Sequence, residues 1–187
     1  MGPGSDGGSF RGGPEAGGLA TAKEVVLRRP EVSDGAKICA LAKETPPLDK
    51  NSAYSYLLLC RHFTDTCSVA EEDGEILGFL TGYIPPDRVG VFFVWQLAVD
   101  PRRRGCGLGK LLIREVLSRS ALTGCRFLET TITPSNEASR RLFLSLARDL
   151  EARCRVTSFF SEEDFGGENH EAEDLFRIGP LQLQRVI

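Results

Sequence analysis

Strand-like and helix-like segments alternate from Val25 onward, which predicts a single α/β domain with a mixed β-sheet flanked by helices. The alternation is anchored by Phe92 to Val99, a β-branched and aromatic run with the character of a central strand. It is anchored again by Arg104-Gly105-Cys106-Gly107-Leu108-Gly109, a glycine-rich turn that leads into a strongly apolar helix. A chain of 187 residues with 41% hydrophobic content can bury one real core. Residues Met1 to about Ala22 hold most of the surplus glycine and lack apolar periodicity. They are expected to form a disordered tail ahead of a domain over 23–187, since they cannot bury enough surface to offset their ordering entropy.

Val25-Val26-Leu27 predicts the first strand. A helix follows from about Asp34 to Lys43, with Ser33 or Asp34 as N-cap and Pro46-Pro47 closing it. Ser52 to His62 is a second helical pattern, rich in Tyr and Leu. Ser68-Val69-Ala70 and Ile76 to Ile84 predict a hairpin turning at Glu72-Asp73-Gly74-Glu75, and Pro85-Pro86 ends that pair. After the central strand, Leu108 to Ala121 is predicted helical: Leu108, Leu112 and Val116 form one stripe, widened by Leu111 and Leu117. Phe127 to Thr133 is the next strand. Asn136 to Asp149 is the next helix, with Ala138, Leu142 and Leu146 at i, i+4 spacing, and Val156 to Phe160 is a late strand. The chain contains no internal repeat.

The glycine turn is built for a diphosphate. Its glycines free backbone N–H groups to converge, and the helix N-terminus adds partial positive charge. A dinucleotide fingerprint would need a third glycine where Lys110 stands, and a P-loop would need Ser or Thr after Gly109-Lys110, where Leu111 stands. An ordinary strand-to-helix turn is the plainer alternative. The remaining pattern, an Arg-x-x-Gly-x-Gly turn after a strand ending Leu97-Ala98-Val99, resembles motif A of the GNAT acyltransferases. That resemblance implies the GNAT fold with acetyl-CoA as cosubstrate. Arg104, Gly105, Gly107, Leu108 and Gly109 would cradle the pyrophosphate. Leu97, Ala98 and Val99 would offer backbone groups to the thioester and the pantetheine amides, as an oxyanion hole and an added strand would. Asn136 would hydrogen-bond the pantetheine arm, although capping its helix explains it equally well.

A finer resemblance lies in four separated segments. These are Pro46-Pro47-Leu48-Asp49 through Leu59, Phe93 to Val99, Leu128 to Ser139, and Gly166-Gly167-Glu168 with His170-x-x-Glu173 before Leu175-x-Arg177-Ile178. Together they are similar to the diaminobutyrate acetyltransferases of ectoine synthesis, over about Leu27 to Pro180. The resemblance implies acetylation of the 4-amino group of a small diamino acid, a homodimeric assembly, and a pocket including Asp49, Tyr54, Trp95, Glu129, His170 and Glu173.

Each of these residues also has a plain reading. Asp49 suits an ammonium, or else it caps the helix near Ser52. Tyr54 and Tyr56 stand two apart and cannot share a helix face, so one packs while the other, taken to be Tyr54, reaches the pocket. Trp95 either joins the core or lines the substrate site; on a regular strand it and Leu97 face opposite to Gln96 and Ala98. Glu129 sits in a strand expected to be central, where a carboxylate is expensive unless paired. Its partners would be Thr130, Thr131 and Thr133, or the substrate ammonium, which is preferred. His170 and Glu173 lie in a polar stretch that reads as a solvated loop, and the resemblance alone makes them ligands.

A net charge of −3 argues against nucleic acid as the main partner. No stretch is apolar enough to span a membrane, and no signal pattern opens the chain, so cytoplasm is the expected compartment. Six cysteines without Cys-x-x-Cys spacing are expected to be reduced thiols, and no His/Cys/carboxylate set has metal spacing.

Acetyl transfer needs a neutral amine, and holding an alkylamine neutral near pH 7 costs roughly 4–5 kcal/mol. Many GNAT enzymes place a glutamate on the central strand as base, where this chain reads Trp95-Gln96. Glu129 is therefore assigned as base, directly or through water. Many relatives carry a tyrosine that protonates the thiolate, where this chain has Phe143. Tyr54, another tyrosine or water must serve. The rival functions are acetylation of ornithine, lysine or a polyamine, and a silent module that binds coenzyme A.

Overall fold

The computed structural model describes residues 24–166 and 170–182. The expected tail over 1–22 lies outside them, as do Gly167, Glu168 and Asn169. Its strands are β1 (Val26–Arg28), β2 (Ser68–Glu72), β3 (Glu75–Tyr83), β4 (Val91–Val99), β5 (Phe127–Ile132), β6 (Arg153–Phe160) and β7 (Glu173–Gly179). They form one sheet in the order β1-β2-β3-β4-β5-β7-β6, in which, among the described residues, only the β4–β5 pair is parallel. Four α-helices flank it: α1 (Gly35–Lys43), α2 (Ala53–His62), α3 (Leu108–Leu117) and α4 (Glu137–Asp149).

The sheet buries a core on each face. On one, α1 and α2 bring Ile38, Leu41, Tyr56 and Leu59 against Val69 and Phe79. On the other, Leu112 and Ile113 of α3 and Leu146 of α4 pack on Phe92, Leu128 and Phe176. Each such aliphatic or aromatic side chain contributes about 1.5–3 kcal/mol by leaving water. Burial also pushes the Cys60 thiol up to about 12 and the Cys67 thiol up to about 11, so both stay protonated and inert.

Three details differ from the expected order. The third helix ends at Leu117 rather than Ala121, because the chain turns at Arg119 and buries its guanidinium. That group donates to the Thr64 and Cys67 carbonyls at 2.7 Å each and pairs with Glu115. Asp34 is the N-cap residue of α1 as expected, but its carboxylate makes no capping bond and pairs instead with Arg28 at 2.7 Å. Strand β7 was not expected, yet it lies between β5 and β6 and joins the last third of the chain to the sheet.

Two irregularities in β4 shape the site. Thr81 of β3 faces Gln96 and the next residue, Gly82, faces Val94, so Trp95 is the extra residue of a β-bulge. Strands β4 and β5 then pair only through Val91–Phe93 and Phe127–Glu129, although β4 continues to Val99 and β5 to Ile132. Beyond Phe93 the two strands diverge. Alternate backbone groups of β4 over 94–99 face the resulting wedge with no strand partner among the described residues.

Candidate active site

A cleft of about 800 Å³ opens at this wedge. All nine residues expected to hold the cofactor line it: Leu97, Ala98 and Val99 from β4, Arg104, Gly105, Gly107, Leu108 and Gly109 from the turn, and Asn136 from the start of α4. Gly105 and Gly107 adopt φ of +79° and +84°, a left-handed backbone that other residues enter only with strain. A Cβ added to either would meet nothing within 4 Å, so the turn is open to a ligand. No side chain caps α3, which leaves its first N–H groups directed at the same space. Gly109 serves packing instead: a Cβ there would come within 2.8 Å of Leu142 Cδ1 on α4. Asn136 lines the cleft and caps α4, its Oδ1 accepting from the Ser139 N–H at 3.1 Å.

The sequence left part of this wall unread. Residues Thr45 to Leu48 form one side, and Arg141, Ser145 and Arg148 of α4 form another. Their spacing of four, then three, then places them on one helical face, a signal that reading α4 only for its apolar stripe passes over.

Asp49 follows the Thr45–Leu48 wall directly. Its Oδ1 lies 3.4 Å from His170 Nε2, and ligand atoms of Asp49, His170 and Glu173 all fall within 4.8 Å of one another. Three of the expected substrate residues, far apart in sequence, thus meet beside the cleft. The Glu171 carbonyl, 2.7 Å from His170 Nδ1, raises the imidazole pKa above its usual value, and Asp49 and Glu173 act in the same direction. Phe165 stacks on the ring at 3.7 Å between centroids.

Trp95 is 37% exposed and stacks on Tyr56, with centroids 6.5 Å apart. Gln96 reaches the same Tyr56 through its amide. The expectation that Trp95 and Gln96 face opposite ways therefore fails, because the bulge breaks the alternation. As expected, Tyr56 is the packed member of its pair, fully buried, and burial raises its phenol pKa. Tyr54 is 67% exposed and, like Asp49, Trp95, His170 and Glu173, does not line the cleft.

Glu129 needs the largest correction. It is fully buried, and one carboxylate oxygen accepts from Arg88 at 2.7 Å while the other pairs with Arg177. The expected threonine partners and the substrate ammonium are both displaced by two guanidiniums. The carboxylate is committed, lies outside the cleft lining, and is a poor candidate for base. Arg177 also rests over the Phe127 ring at 3.9 Å.

A parallel pair that splays beside an anion-binding turn, walled by a basic helix face, defines an acyltransferase that takes its acyl group from a nucleotide thioester. The acetyltransferase (GNAT) family model matches residues 36–147. Over 84% of this chain and 88% of its own length, L-2,4-diaminobutyric acid acetyltransferase from Shouchella clausii is 46% identical. The enzyme of that name from Bordetella parapertussis is 48% identical over 87% of this chain and 88% of its own. The solved diaminobutyrate acetyltransferase from Paenibacillus lautus, in complex with its substrate L-2,4-diaminobutyric acid and coenzyme A, has a TM-score of 0.82 and 44% identity. It is matched over 85% of this chain and 96% of that one. Ard1 from Thermoplasma volcanium, 18% identical with a TM-score of 0.64 over 83% of this chain and 97% of its own, shares the fold. The chain belongs to the GNAT family and, within it, to the L-2,4-diaminobutyric acid acetyltransferases.

Proposed function

We propose that this chain transfers the acetyl group of acetyl-CoA to the 4-amino group of L-2,4-diaminobutyrate, by direct attack in a ternary complex. The product, N4-acetyl-L-2,4-diaminobutyrate, is the intermediate before ring closure to ectoine, a compatible solute of osmotic stress. The observation that carries this reading is the shared wall: Thr45–Leu48 borders the donor cleft and runs directly into Asp49, which meets His170 and Glu173. A thioester site and a cation-seeking carboxylate pair are thereby adjacent, as transfer to a small diamine requires.

In this reading the turn from Arg104 to Gly109 and the N-terminus of α3 hold the pyrophosphate, and Asn136 orients the pantetheine. The wedge-facing N–H groups of Leu97 to Val99 point at the thioester oxygen, where they stabilise the charge that develops on attack. With Glu129 committed to its arginines, we assign the ammonium and its proton to Asp49, His170 and Glu173. Carboxylates draw the cation in, and the imidazole and carboxylates then accept the proton that makes the amine nucleophilic. Trp95 forms the apolar side of the pocket. We further read the protein as a cytoplasmic homodimer, supported by Val156, Phe159 and Phe160 exposed along the β6 edge.

The test is a product assay with acetyl-CoA and L-2,4-diaminobutyrate, run beside ornithine, lysine and putrescine and read by mass spectrometry and NMR. A mono-acetyl product labelled on the 4-amino nitrogen, with the other amines much slower, is expected. Faster turnover of ornithine or lysine would sink the substrate assignment. No product from any amine, with coenzyme A still bound, would make the chain a silent module.

A further inference from the structure

We infer that Gln96 is the positioning residue that joins the two halves of the site, and that its amide cannot be replaced by a carboxylate; the inference rests on the acetyl-transfer reading above. Gln96 is 4% exposed and follows the bulged Trp95. Its Oε1 accepts from the Tyr56 hydroxyl at 2.8 Å, and its Nε2 donates to the main-chain carbonyl of Asp49 at 3.1 Å. The orientation is forced. A carbonyl only accepts, so the amide turns its N–H towards Asp49, its oxygen then faces Tyr56, and the phenol must donate. Asn51 Nδ2 donates to the same Asp49 carbonyl at 3.3 Å, and Thr81 Oγ1 donates to the Gln96 carbonyl at 3.4 Å.

The consequence is geometric. The residues after Gln96 in β4 line the donor cleft, and Asp49 belongs to the cluster assigned to the amine. One side chain ties a rigid strand to a loop that carries a substrate-seeking carboxylate. The amide satisfies both neighbours at every pH. A carboxylate would set a charged oxygen against the Asp49 carbonyl, and an aliphatic side chain would leave a buried hydroxyl and that carbonyl without this partner. This accounts for the lack of an acid at position 96: the residue holds the acceptor loop in place and takes no proton.

The test compares Q96E and Q96L with the parent protein between pH 6 and 9, by steady-state kinetics and by amide hydrogen exchange over residues 44–51. Burial raises the pKa of the introduced carboxyl, so lower pH favours its protonated form. At the upper end, Q96E should raise the KM for diaminobutyrate at least tenfold, leave the KM for acetyl-CoA within about twofold, and speed exchange over 44–51. As pH falls the carboxyl gains a proton, becomes a donor to Asp49, and the ratio of variant to parent KM should return towards one. Q96L has no proton to gain, and its ratio should stay raised at every pH.

An unchanged KM for the diamine in both variants would overturn the inference. So would a KM for acetyl-CoA that rises in step with it. If Q96L does not fold, Q96E at the two ends of the range carries the test. Exchange reads the coupling without turnover: failure of the parent to acetylate diaminobutyrate would refute the proposed function, while unaltered exchange in Q96E would refute the role of Gln96.

Discussion

Glu129 and His170 separate a charge that holds the structure from a charge that the proposed function puts to chemical use. Glu129 is fully buried between Arg88 and Arg177, and E129Q would leave two guanidiniums facing an amide. Both arginine side chains are more than a third exposed, so the loss should fall below that of a fully buried pair, at about 1–3 kcal/mol, which urea denaturation would register. Turnover per folded molecule should stay within a few-fold, with an unmoved pH profile. Loss of a true base costs about 10²–10⁴-fold, so a drop of that size with a shifted pH limb would restore Glu129 to the mechanism. His170 behaves differently. Its raised pKa means the ring is charged at lower pH and loses that charge as pH rises through the folded value. While charged it competes with the substrate ammonium for Asp49 and Glu173. The KM for diaminobutyrate should therefore fall as pH rises through the His170 pKa, and in H170N that step should flatten. A step that persists in H170N belongs to another group.

At the level of elements, the bulge in β4 and its neighbour Gly82 set the wedge. A Cβ on Gly82 would lie 2.7 Å from the Phe93 carbonyl oxygen and 2.7 Å from the Phe92 ring, closer than real side chains approach. G82A should cost about 1–3 kcal/mol through overpacking and weaken coenzyme A binding. G124A, where an added Cβ meets nothing within 4 Å, is the control that should do neither. The same elements explain what a reader of the chain can and cannot see. The donor side was legible because its requirements are local: glycines at positive φ, a helix start and a preceding strand are consecutive in sequence. Strand β7 was hidden because its charges looked like a solvated loop, whereas Arg177 pairs with Glu129 and Asp174 with Arg140 across the fold. For the same reason Glu129 was misread: its partners lie 41 and 48 positions away, and no local pattern announces them. The bulge at Trp95 is a two-strand property, visible only once β3 is set beside β4.

Across the whole molecule, a chain of net charge −3 gathers Arg103, Arg104, Lys110, Arg141 and Arg148 around one cleft. Arg103, Lys110 and Arg141 also pair with Glu72, Asp149 and Glu137, so the field that should draw in a polyanionic acyl donor rests chiefly on Arg104 and Arg148. Screening shortens the reach of such fields from ~10 Å at 0.1 M salt to ~3 Å at 1 M. The KM for acetyl-CoA should therefore climb several-fold over that range, and the KM for the small zwitterionic amine should climb less. Equal dependence of both would mean the basic wall has no steering role. The wedge between β4 and β5 carries a last consequence, for the lifetime of the protein rather than its turnover. A sheet that stops pairing midway keeps part of its hydrogen-bonding capacity in reserve, and in the proposed reading a pantetheine in that gap would complete it. Such a ligand at a hundredfold excess over its Kd adds about 2.7 kcal/mol to the folded state. The acyl donor is then also a removable strut. A cell short of it would hold a looser enzyme, and one well supplied would hold a sturdier one, so metabolic supply and protein durability rise and fall together.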